Sequence, residues 1–342
     1  MSLKNLSVKI KIPKLLKEKL QNKKISKIYK RFEENLNIKK NFAVSVSGGP
    51  DSLALAFLSK IYSIKKGLKP KFFHVDHKLR KESSNEASNV KKILKKYSIN
   101  MEILTWKGLK PLKNIQSEAR KKRYDLMFSK CDKYKIQDIL VGHHQNDLLE
   151  NFFIRLLRGS GLKGLISLDL KQKIGNKNLL RPLLFEKKED LIFISKNIFG
   201  FYINDPSNNE EKFQRVKIRR LNENLKQDGF DEKKFLKTIK NLKSSNNVIS
   251  FYVDKNLIQN TFFSNNRKQI IINKEFFNQP EEIVLRSLSE VIKIMGKKYY
   301  PVRGKKLEKV IFNYHKSPLF RVTLGGCILE KVNQTVILTK EY

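Results

Sequence analysis

The chain has 342 residues, 40% of them hydrophobic, which suits two or three domains with apolar cores and argues against global disorder. Its 72 Lys and Arg against 33 Asp and Glu leave a net charge of +39, which indicates a polyanionic partner, RNA or DNA, although codon bias in an AT-rich genome also enriches lysine. The sequence has no apolar run of about 18 residues and no secretory signal, so we expect a cytoplasmic protein without a membrane partner.

Residues 1–40 predict a basic N-terminal extension with one amphipathic helix near residues 25–36. From residue 41 to residue 210, short apolar runs alternate with longer helical patterns. The predicted strands cover residues 42–46, 71–75, 99–105 and 138–142, and the predicted helices cover residues 52–64, 82–97, 115–134 and 147–158. This alternation predicts an α/β fold with a doubly wound, mostly parallel sheet, in which ligands bind beyond the carboxyl ends of the strands.

The alternation stops in a polar, turn-rich stretch at residues 204–209. Residues 211–250 then predict a basic helical linker, and residues 251–342 predict a smaller α+β domain. In that domain residues 280–294 predict an amphipathic helix, and residues 320–330 together with 334–339 predict a β-hairpin. We therefore expect the extension, an α/β domain over residues 41–210, the linker and a second domain.

A glycine-containing loop directly follows the first predicted strand and opens a helix. Glycines let backbone N–H groups close around an anion, and the helix N-terminus adds partial positive charge. Asp51 would repel a phosphate unless a cation lay between them, so we interpret it as a Mg²⁺ ligand. A simple capped turn is the alternative, but the position between a buried strand and a helix favours phosphate binding. The candidate residues are Ser47, Gly48, Gly49, Pro50, Asp51 and Ser52.

Two further motifs lie near the second strand and in the third helix. His74 and His77 occupy the carboxyl end of the second predicted strand, either as metal ligands or as polar residues entering solvent. Arg120 and Arg123 share one face of a predicted helix, where they either bracket a triphosphate or acceptor nucleotide, or form a solvated basic surface.

Two carboxylates follow the fourth strand. Asp147 and Glu150 are three positions apart in the first turn of the next predicted helix, so both point into the same cleft. They are candidates for Mg²⁺ coordination and for accepting a proton. The simpler alternative is that they complement the helix dipole.

Basic residues in a later segment are candidates for contacts with nucleic-acid phosphates. This segment, residues 155–165, also contains three glycines that permit close approach of the backbone. An exposed basic surface without a specific role is the alternative. The candidates are Arg155, Arg158 and Lys163.

The order of these motifs resembles that of the PP-loop ATP pyrophosphatases, and among them the tRNA(Ile)-lysidine synthetases. The matching segments are Ser47-Gly-Gly-Pro-Asp-Ser52, His74-Val-Asp-His-Lys-Leu-Arg80, Ala119-Arg-Lys-Lys-Arg-Tyr124, Arg158-Gly-Ser-Gly161 and Asp205-Pro-Ser-Asn208. The motif around Asp147 departs from the family's His-His-x-Asp-Asp-Gln-x-Glu-Thr at Asn146, Leu148 and Asn151, and Val216 replaces an expected Asn.

The resemblance implies an adenine-nucleotide-hydrolase-like fold and a ligase that forms a carbon–nitrogen bond. Such an enzyme adenylates the C2 oxygen of the wobble cytidine in an isoleucine tRNA with a CAU anticodon and releases pyrophosphate. Free L-lysine then displaces AMP to form lysidine. ATP is the implied co-substrate, Mg²⁺ the implied cofactor and tRNA the implied partner, while a homodimer stays an open alternative.

The resemblance also implies roles for individual residues. Asp51 and Asp147 would hold Mg²⁺, and His74 and His77 would line the adenine pocket. Glu150 or Asp147 would accept a proton from lysine. Arg120 or Arg123 would steady the α-phosphate, and residues 251–342 would bind tRNA or another substrate. The residues that would hold tRNA phosphates are Arg155, Arg158, Lys163, Arg215 and Arg219, the last two in a segment that matches the family's Arg-Asn-x-Ile-Arg.

Three rivals are weighed against this interpretation. A PP-loop tRNA thiolase needs cysteines near the cleft, but Cys131 falls in a predicted helix and Cys327 in the second domain. The distance between these two cysteines in the sequence also excludes a disulfide framework. A synthetase that acts on a small metabolite gives no reason for the net charge. A non-catalytic RNA-binding protein explains the charge but leaves the phosphate loop unused.

Overall fold

The computed structural model describes residues 13–78, 82–108, 115–204, 214–264, 268–297, 302 and 304–341. The chain divides into two compact units, Met1–Phe230 (the first unit) and Asp231–Tyr342 (the second unit). None of the helices formed by the described residues is long and apolar enough to span a membrane. The sequence predicted boundaries at residues 40, 210 and 250, whereas the compact units meet after Phe230.

The first unit is built on a six-stranded, mostly parallel sheet. Its strands are β1 (Ala43–Ser45), β2 (Lys71–Asp76), β3 (Met101–Thr105), β4 (Asp138–Leu140), β5 (Lys171–Ile174) and β6 (Lys177–Leu180). They lie in the order β3-β2-β1-β4-β6-β5, and only β5 runs antiparallel to its neighbour among these strands. The predicted α/β class and doubly wound sheet are confirmed. The β5–β6 hairpin was not predicted, because its short, lysine-rich strands lack an apolar run.

Nine described helices of the first unit accompany the sheet. They are α1 (Lys14–Leu20), α2 (Lys23–Glu34), α3 (Pro50–Lys66), α4 (Ser83–Lys96), α5 (Ile115–Lys133), α6 (Gln145–Leu156), α7 (Leu162–Leu165), α8 (Lys188–Phe199) and α9 (Gln214–Gln227). Helix α3 follows the phosphate loop and is buried on almost every face, from Ser52 to Ser59 without interruption. A helix that is apolar on all sides belongs to the interior, so the loop before it is attached directly to a buried helix.

Helices α1 and α2 are part of the core of the first unit. Ile25, Ile28, Tyr29 and Phe32 recur at helical spacing and pack in one cluster with the residues of α3 and the sheet, and Leu16 of α1 joins them. The segment predicted as a basic extension therefore contributes an apolar face to the domain, while its lysines lie on the opposite, solvated face.

The second unit combines helices with an antiparallel sheet. It contains α10 (Glu232–Asn260), β7 (Thr261–Phe263), β8 (Gln269–Ile272), a 3-10 turn (Lys274–Phe276), α11 (Glu281–Gly296), α12 (Gly304–Lys316), β9 (Phe320–Leu324), β10 (Cys327–Val332) and β11 (Thr335–Lys340). The strand order is β7-β8-β11-β10-β9. The predicted C-terminal hairpin is a three-stranded meander, because Gly325 and Gly326 take φ values of +66° and +79° and turn the chain back.

The segment predicted as a helical linker does not stand apart from the two units. Helix α9 belongs to the first unit, and α10 runs without a break from Glu232 into the region expected to start the second domain. Its N-cap, Asp231, accepts hydrogen bonds from the backbone N–H groups of Lys233 and Lys234. The division into two compact units falls at the start of this helix, and the boundaries at residues 210 and 250 stay predictions.

Candidate active site

The loop between β1 and α3 is held in shape by one hydroxyl. The Oγ atom of Ser52 accepts hydrogen bonds from the backbone N–H groups of Ser47 and Gly48, each at 3.0 Å, and lies 3.0 Å from the carbonyl oxygen of Gly49. The Ser47 hydroxyl also lies 3.2 Å from the Oγ atom of Ser52. Ser52, predicted to help hold phosphate, is thus also the internal brace of the loop.

Two glycines permit the close packing around this loop. Gly48 has a φ of +92°, and a Cβ atom there would lie 2.6 Å from the Cδ1 atom of Ile203. The N–H group of Ile203 donates to the Gly48 carbonyl at 2.9 Å, so the backbone cannot move away without losing this bond. A Cβ atom at Gly142, after β4, would lie 3.2 Å from the backbone of Asp51. The loops after β1 and β4 therefore meet at the first turn of α3.

Two predicted metal ligands converge on one imidazole at this meeting point. The Nε2 atom of His144 lies 3.5 Å from Oδ2 of Asp51 and 3.6 Å from Oδ2 of Asp147. His144 is the N-cap of α6, and Asp147 completes a capping box by accepting from the His144 N–H group at 2.9 Å. Burial lowers the pKa of His144, but its hydrogen bond with Asp51 and both carboxylate charges outweigh burial and raise that pKa overall.

The donor set at this point fits a magnesium ion. The Oδ1 atom of Asp51 is buried and has no hydrogen-bond partner among the described residues. Mg²⁺ in phosphate-binding sites uses one or two carboxylates and completes its shell with substrate phosphates and water. The described residues contain no group of three or more His, Cys, Asp or Glu side chains placed to bind a metal, so a closed structural metal site does not fit.

Glu150 and Arg219, predicted in separate roles, form an ion pair. The Nε atom of Arg219 on α9 donates to Oε1 of Glu150 at 2.6 Å, and the exposed fractions of the two side chains are 35% and 6%. Glu150 is therefore buried beneath a guanidinium rather than open to solvent beside Asp147. The pair also connects α6, in the predicted α/β domain, to α9, in the segment predicted as a linker.

His74 lies within strand β2 and His77 directly after it, and the pKa values of both imidazoles are lowered. Burial lowers the pKa of His74. Burial and the positive charge of Arg123 lower the pKa of His77 to about 4. The ring of His77 meets Trp106 edge to face, with 6.1 Å between ring centroids. Neutral rings suit a flat base better than an anion, and the adenine pocket at these histidines stays a prediction.

Asp76 lies between these histidines and has a structural role that the sequence did not reveal. Its Oδ1 atom accepts from the Lys78 N–H group at 2.9 Å and from the Ser83 hydroxyl at 2.8 Å, and its Oδ2 atom accepts from the Ser84 hydroxyl at 2.6 Å. Burial raises the pKa of Asp76, but these hydrogen bonds outweigh it and lower that pKa overall. Asp76 is committed to the start of α4, which weighs against the alternative of a metal cluster at His74 and His77.

Arg120 and Arg123 serve different neighbours despite their common helix face. The guanidinium of Arg120 lies 5.2 Å from the centroid of the Tyr124 ring, a cation–π distance. The charge of Arg123 acts on His77. Both arginines are partly buried, so neither lies on a fully solvated surface.

Arg181 is a buried residue beside His143 to which the sequence analysis assigned no role. Its Nε atom donates to Nδ1 of His143 at 3.1 Å, and its other nitrogens donate to the Asp169 carbonyl at 2.8 Å and to Gln172 Oε1 at 2.6 Å. Burial lowers the pKa of Arg181. The ring nitrogen of His143 that faces the guanidinium must be unprotonated to accept. The only sequence signal was a lone Arg before Pro-Leu-Leu.

The predicted nucleic-acid contacts lie mainly on a surface beyond the end of α6. Arg158 and Lys163 are exposed, and Arg155 is partly exposed. Leu157, between the two arginines, has 64% of its surface exposed, so this surface is also apolar. Arg215 lies in the first turn of α9, with its side chain outside the described part of the structure, and residues 205–208 also lie outside it.

The sheet order and the loop after β1 define a nucleotide-binding α/β protein of the PP-loop class. A family model described as a PP-loop domain matches residues 17–225, which begins in α1 and ends in α9. The match includes the N-terminal helices, in agreement with their burial in the first unit. It also includes every predicted site residue.

Two relatives narrow the class. The tRNA(Ile)-lysidine synthase of Orientia tsutsugamushi (strain Boryong) is 35% identical over 326 residues, which cover 91% of this chain and 71% of that protein. The protein of the same name from Wolbachia sp. subsp. Brugia malayi (strain TRS) is 33% identical over 312 residues, 87% of this chain and 70% of that protein. The chain therefore belongs to the tRNA(Ile)-lysidine synthase family.

A solved structure agrees on the fold. A U34-tRNA thiolase from Methanococcus maripaludis superposes with a TM-score of 0.56 at 15% identity, over 65% of this chain and 78% of that one. At this identity the likeness concerns the fold alone.

Proposed function

We propose that this protein uses ATP to join lysine to C2 of the wobble cytidine of an isoleucine tRNA with a CAU anticodon. The products are lysidine in the tRNA, AMP and pyrophosphate. What carries the proposal is the similarity to two proteins named tRNA(Ile)-lysidine synthase, which at 91% and 87% of the chain includes both compact units. The converging carboxylates of Asp51 and Asp147 support it from the geometry.

In the first half-reaction, the C2 oxygen of cytidine attacks the α-phosphate of ATP and pyrophosphate leaves. The N-terminus of α3 and the glycine loop would receive the phosphates. Asp51 and Asp147 would hold a Mg²⁺ ion, which neutralises the charge that develops on the leaving pyrophosphate. Arg120 and Arg123 would steady the α-phosphate, and His74 and His77 would line the adenine pocket.

In the second half-reaction, the amine of lysine displaces AMP from the adenylated ring. The free amine has a pKa of about 10.4 and must lose a proton before or during attack. Of the two candidate acceptors, the geometry favours Asp147, because protonation of Glu150 would disrupt its buried ion pair with Arg219. Glu150 would then fix the position of α6.

The tRNA would be bound by charge over a wide surface and by specific contacts close to the site. The net charge of +39 attracts the phosphates. Arg155, Arg158 and Lys163 lie at the end of α6, one helix length from Asp147. Arg215 and Arg219 of α9 would add contacts, and the second unit would hold the body of the tRNA.

The thiolase alternative is disfavoured by the chemistry of the first unit's cysteine. Cys131 is fully buried in α5, and burial raises the pKa of its thiol to about 12. A thiol with so high a pKa is a poor nucleophile and a poor metal ligand at neutral pH. Simple RNA binding leaves the loop and both aspartates without a purpose.

Incubation of the full chain with ATP, Mg²⁺, isotopically labelled lysine and a CAU-anticodon isoleucine tRNA tests the proposal. After nuclease digestion, mass spectrometry should find the label on one cytidine nucleoside, with AMP formed in equal amount. A tRNA whose wobble cytidine is replaced by uridine is the control and should acquire no label. Label that appears in neither RNA, or that requires no ATP, would refute the proposal.

Asp51→Asn is the sharpest variant for the proposed ion site. It keeps the size of the side chain but removes the charge, so we expect kcat to fall by about a hundredfold or more. Filter-binding affinity for tRNA should stay within about twofold, since Asp51 is not proposed to contact RNA. Asp228→Asn, at an exposed acid of the first unit, is the matched control. Full activity of the Asp51 variant would exclude its metal role.

A further inference from the structure

The turn that links β6 to α8 contacts the His143–Gln145 segment at both of its ends. At the first end the Nε atom of Arg181 donates to Nδ1 of His143 at 3.1 Å. At the other end the backbone N–H group of Gln145 donates to the carbonyl oxygen of Glu186 at 3.1 Å. Leu183, within the turn, is fully buried. This short turn therefore contacts the residues on both sides of His144, at the start of α6.

Helix α2 and its C-cap residue also form hydrogen bonds with this turn. Arg31 donates through Nε to Oε1 of Glu186 at 2.8 Å and through Nη2 to Oε2, a two-pronged pairing of guanidinium and carboxylate. The Nδ2 atom of Asn35, at the end of α2, donates to the Pro182 carbonyl at 3.0 Å. Only 3% of the Glu186 side chain is exposed, against 41% of Arg31. The buried carboxylate thus depends on one guanidinium from the N-terminal segment.

We propose that Arg31 is a positioning residue for the candidate active site, acting through Glu186 on the start of α6. Its consequence for catalysis rests on the proposed function, but its effect on the loop does not. Gln145 is the first residue of α6, and its N–H group is one of the donors that a helix cannot satisfy by itself. The Glu186 carbonyl satisfies it and so determines where His144 and Asp147 face Asp51.

The charge and the geometry both favour this role over a simple surface ion pair. A surface pair between flexible side chains contributes little, whereas removal of Arg31 would leave the buried Glu186 carboxyl group without the guanidinium that binds both of its oxygens. The turn would then shift to hydrate the carboxylate, and the Gln145 contact would shift with it. Displacement of a catalytic group by about 1 Å can cost up to about a hundredfold in rate.

The experiment compares Arg31→Gln with Lys24→Gln in the full chain. Lys24 is a matched control, because it also lies on α2 and pairs at 2.7 Å with an acid of the first unit, Asp190 in the first turn of α8. Both variants lose one positive charge from the same helix. Hydrogen exchange of the peptide that spans residues 143–149 reports on the loop without any assay of activity.

We expect exchange in residues 143–149 to rise about tenfold in Arg31→Gln and to stay unchanged in Lys24→Gln. In the lysidine assay, kcat should fall about tenfold for Arg31→Gln, with KM for tRNA within about twofold. Arg31→Lys keeps the charge but not the two-pronged geometry, and it should recover part of kcat. The double variant Arg31→Gln/Glu186→Gln should lose no more than the larger single loss, because both act through one contact.

Other outcomes would overturn the proposal. Unchanged exchange in residues 143–149 would remove the link between Arg31 and the loop, whatever the activity. A raised KM for tRNA with unchanged kcat would mean that Arg31 contacts RNA directly. If Arg31→Gln unfolds, Glu186→Gln gives the same exchange comparison, because it removes the other partner of the same ion pair, and unchanged exchange in residues 143–149 would equally refute the link. Failure of lysidine formation in the wild type, with the exchange result intact, would refute only the proposed function.

Discussion

Asp51 lies in the first turn of α3 and Asp147 in the first turn of α6. The N-termini of the two helices lie close together, since both carboxylates approach the His144 imidazole. The N-termini of α3 and α6 carry partial positive charge, which offsets the repulsion between two carboxylates that share one imidazole. A site of this kind can hold a cation on the carboxylates and an anion on the helix ends. This combination is what a nucleotide with its magnesium ion requires.

His77 gives the first unit a pH dependence that can be measured. Its pKa lies at about 4 in the folded protein, mainly because of burial and then because of Arg123, and near 6.5 in the unfolded chain. Between these values the unfolded state binds more protons, so the free energy of unfolding falls as the pH falls from about 6.5 to about 4. We expect a loss of about 1–2 kcal/mol, less than the full shift implies, because the ring is partly exposed.

The comparison of wild type with His77→Asn isolates this contribution. Urea unfolding followed by the fluorescence of Trp106, the one tryptophan of the chain, reports on the first unit. His144 acts with the opposite sign, since its raised pKa favours folding at low pH, and Asp76 matters only below its ordinary range. Subtraction of the His77→Asn curve removes both effects. An equal slope in the two proteins would contradict the prediction, and His315→Asn, at an exposed histidine, is the control.

Helix α2 connects the N-terminal segment to the core and to the site at once. Its apolar face packs against α3 and the sheet, and its polar face provides Arg31. A helix of 12 residues is marginal by itself, so its stability comes from this packing. Its removal would therefore affect the domain as a whole.

Phe32→Ala tests how much α2 contributes to the fold. Phe32 is fully buried and meets the ring of Tyr62 edge to face at 6.3 Å. We expect the free energy of unfolding of the first unit to fall by about 3–5 kcal/mol, because the truncation leaves a cavity between α2 and α3. Lys30→Ala, on the exposed face of the same helix, should change it by less than about 0.5 kcal/mol. A loss below about 1 kcal/mol for Phe32→Ala would mean that α2 docks only loosely.

The elements that periodicity and turn chemistry specify locally were predictable. The strands β1 to β4, the helices α3 to α6 and the loop from Ser47 to Ser52 all match the sequence interpretation to within a few residues. Contacts between distant segments were not, since no local pattern pairs Arg219 with Glu150 or Arg31 with Glu186. The amphipathic helix predicted near residues 25–36 is α2, but the sequence did not show that its apolar face packs into the core of the first unit.

The second unit has its own core and its own internal polar network. Asn256 donates to the Ser287 hydroxyl at 3.2 Å, Asn260 donates to Asn256 at 2.8 Å, and Asn273 donates to Asn260 at 3.2 Å. Buried amides that satisfy one another specify a unique packing, because any other register leaves them unpaired. The similarity to the lysidine synthase of Orientia tsutsugamushi covers 91% of the chain and so extends into both units.

The net charge of +39 predicts strongly salt-dependent binding of tRNA. If about six phosphates are neutralised, the affinity should fall by about a thousandfold between about 50 and about 200 mM salt. The reason is that the release of counterions from the RNA on binding contributes less free energy at higher salt concentration. Filter binding over this range gives the slope of log K against log salt concentration. A slope near zero would contradict an electrostatic interface.

Two double variants that each remove two positive charges can distinguish local phosphate contacts from the electrostatic attraction of the whole protein surface. Arg158→Gln/Lys163→Gln removes two exposed charges beyond α6, and Lys91→Gln/Lys92→Gln removes two exposed charges from α4. If Arg158 and Lys163 each contact a phosphate, the first variant should reduce the slope by about two, whereas the second should leave it nearly unchanged. Equal reductions in both would mean that the whole surface, rather than the segment after α6, attracts the RNA.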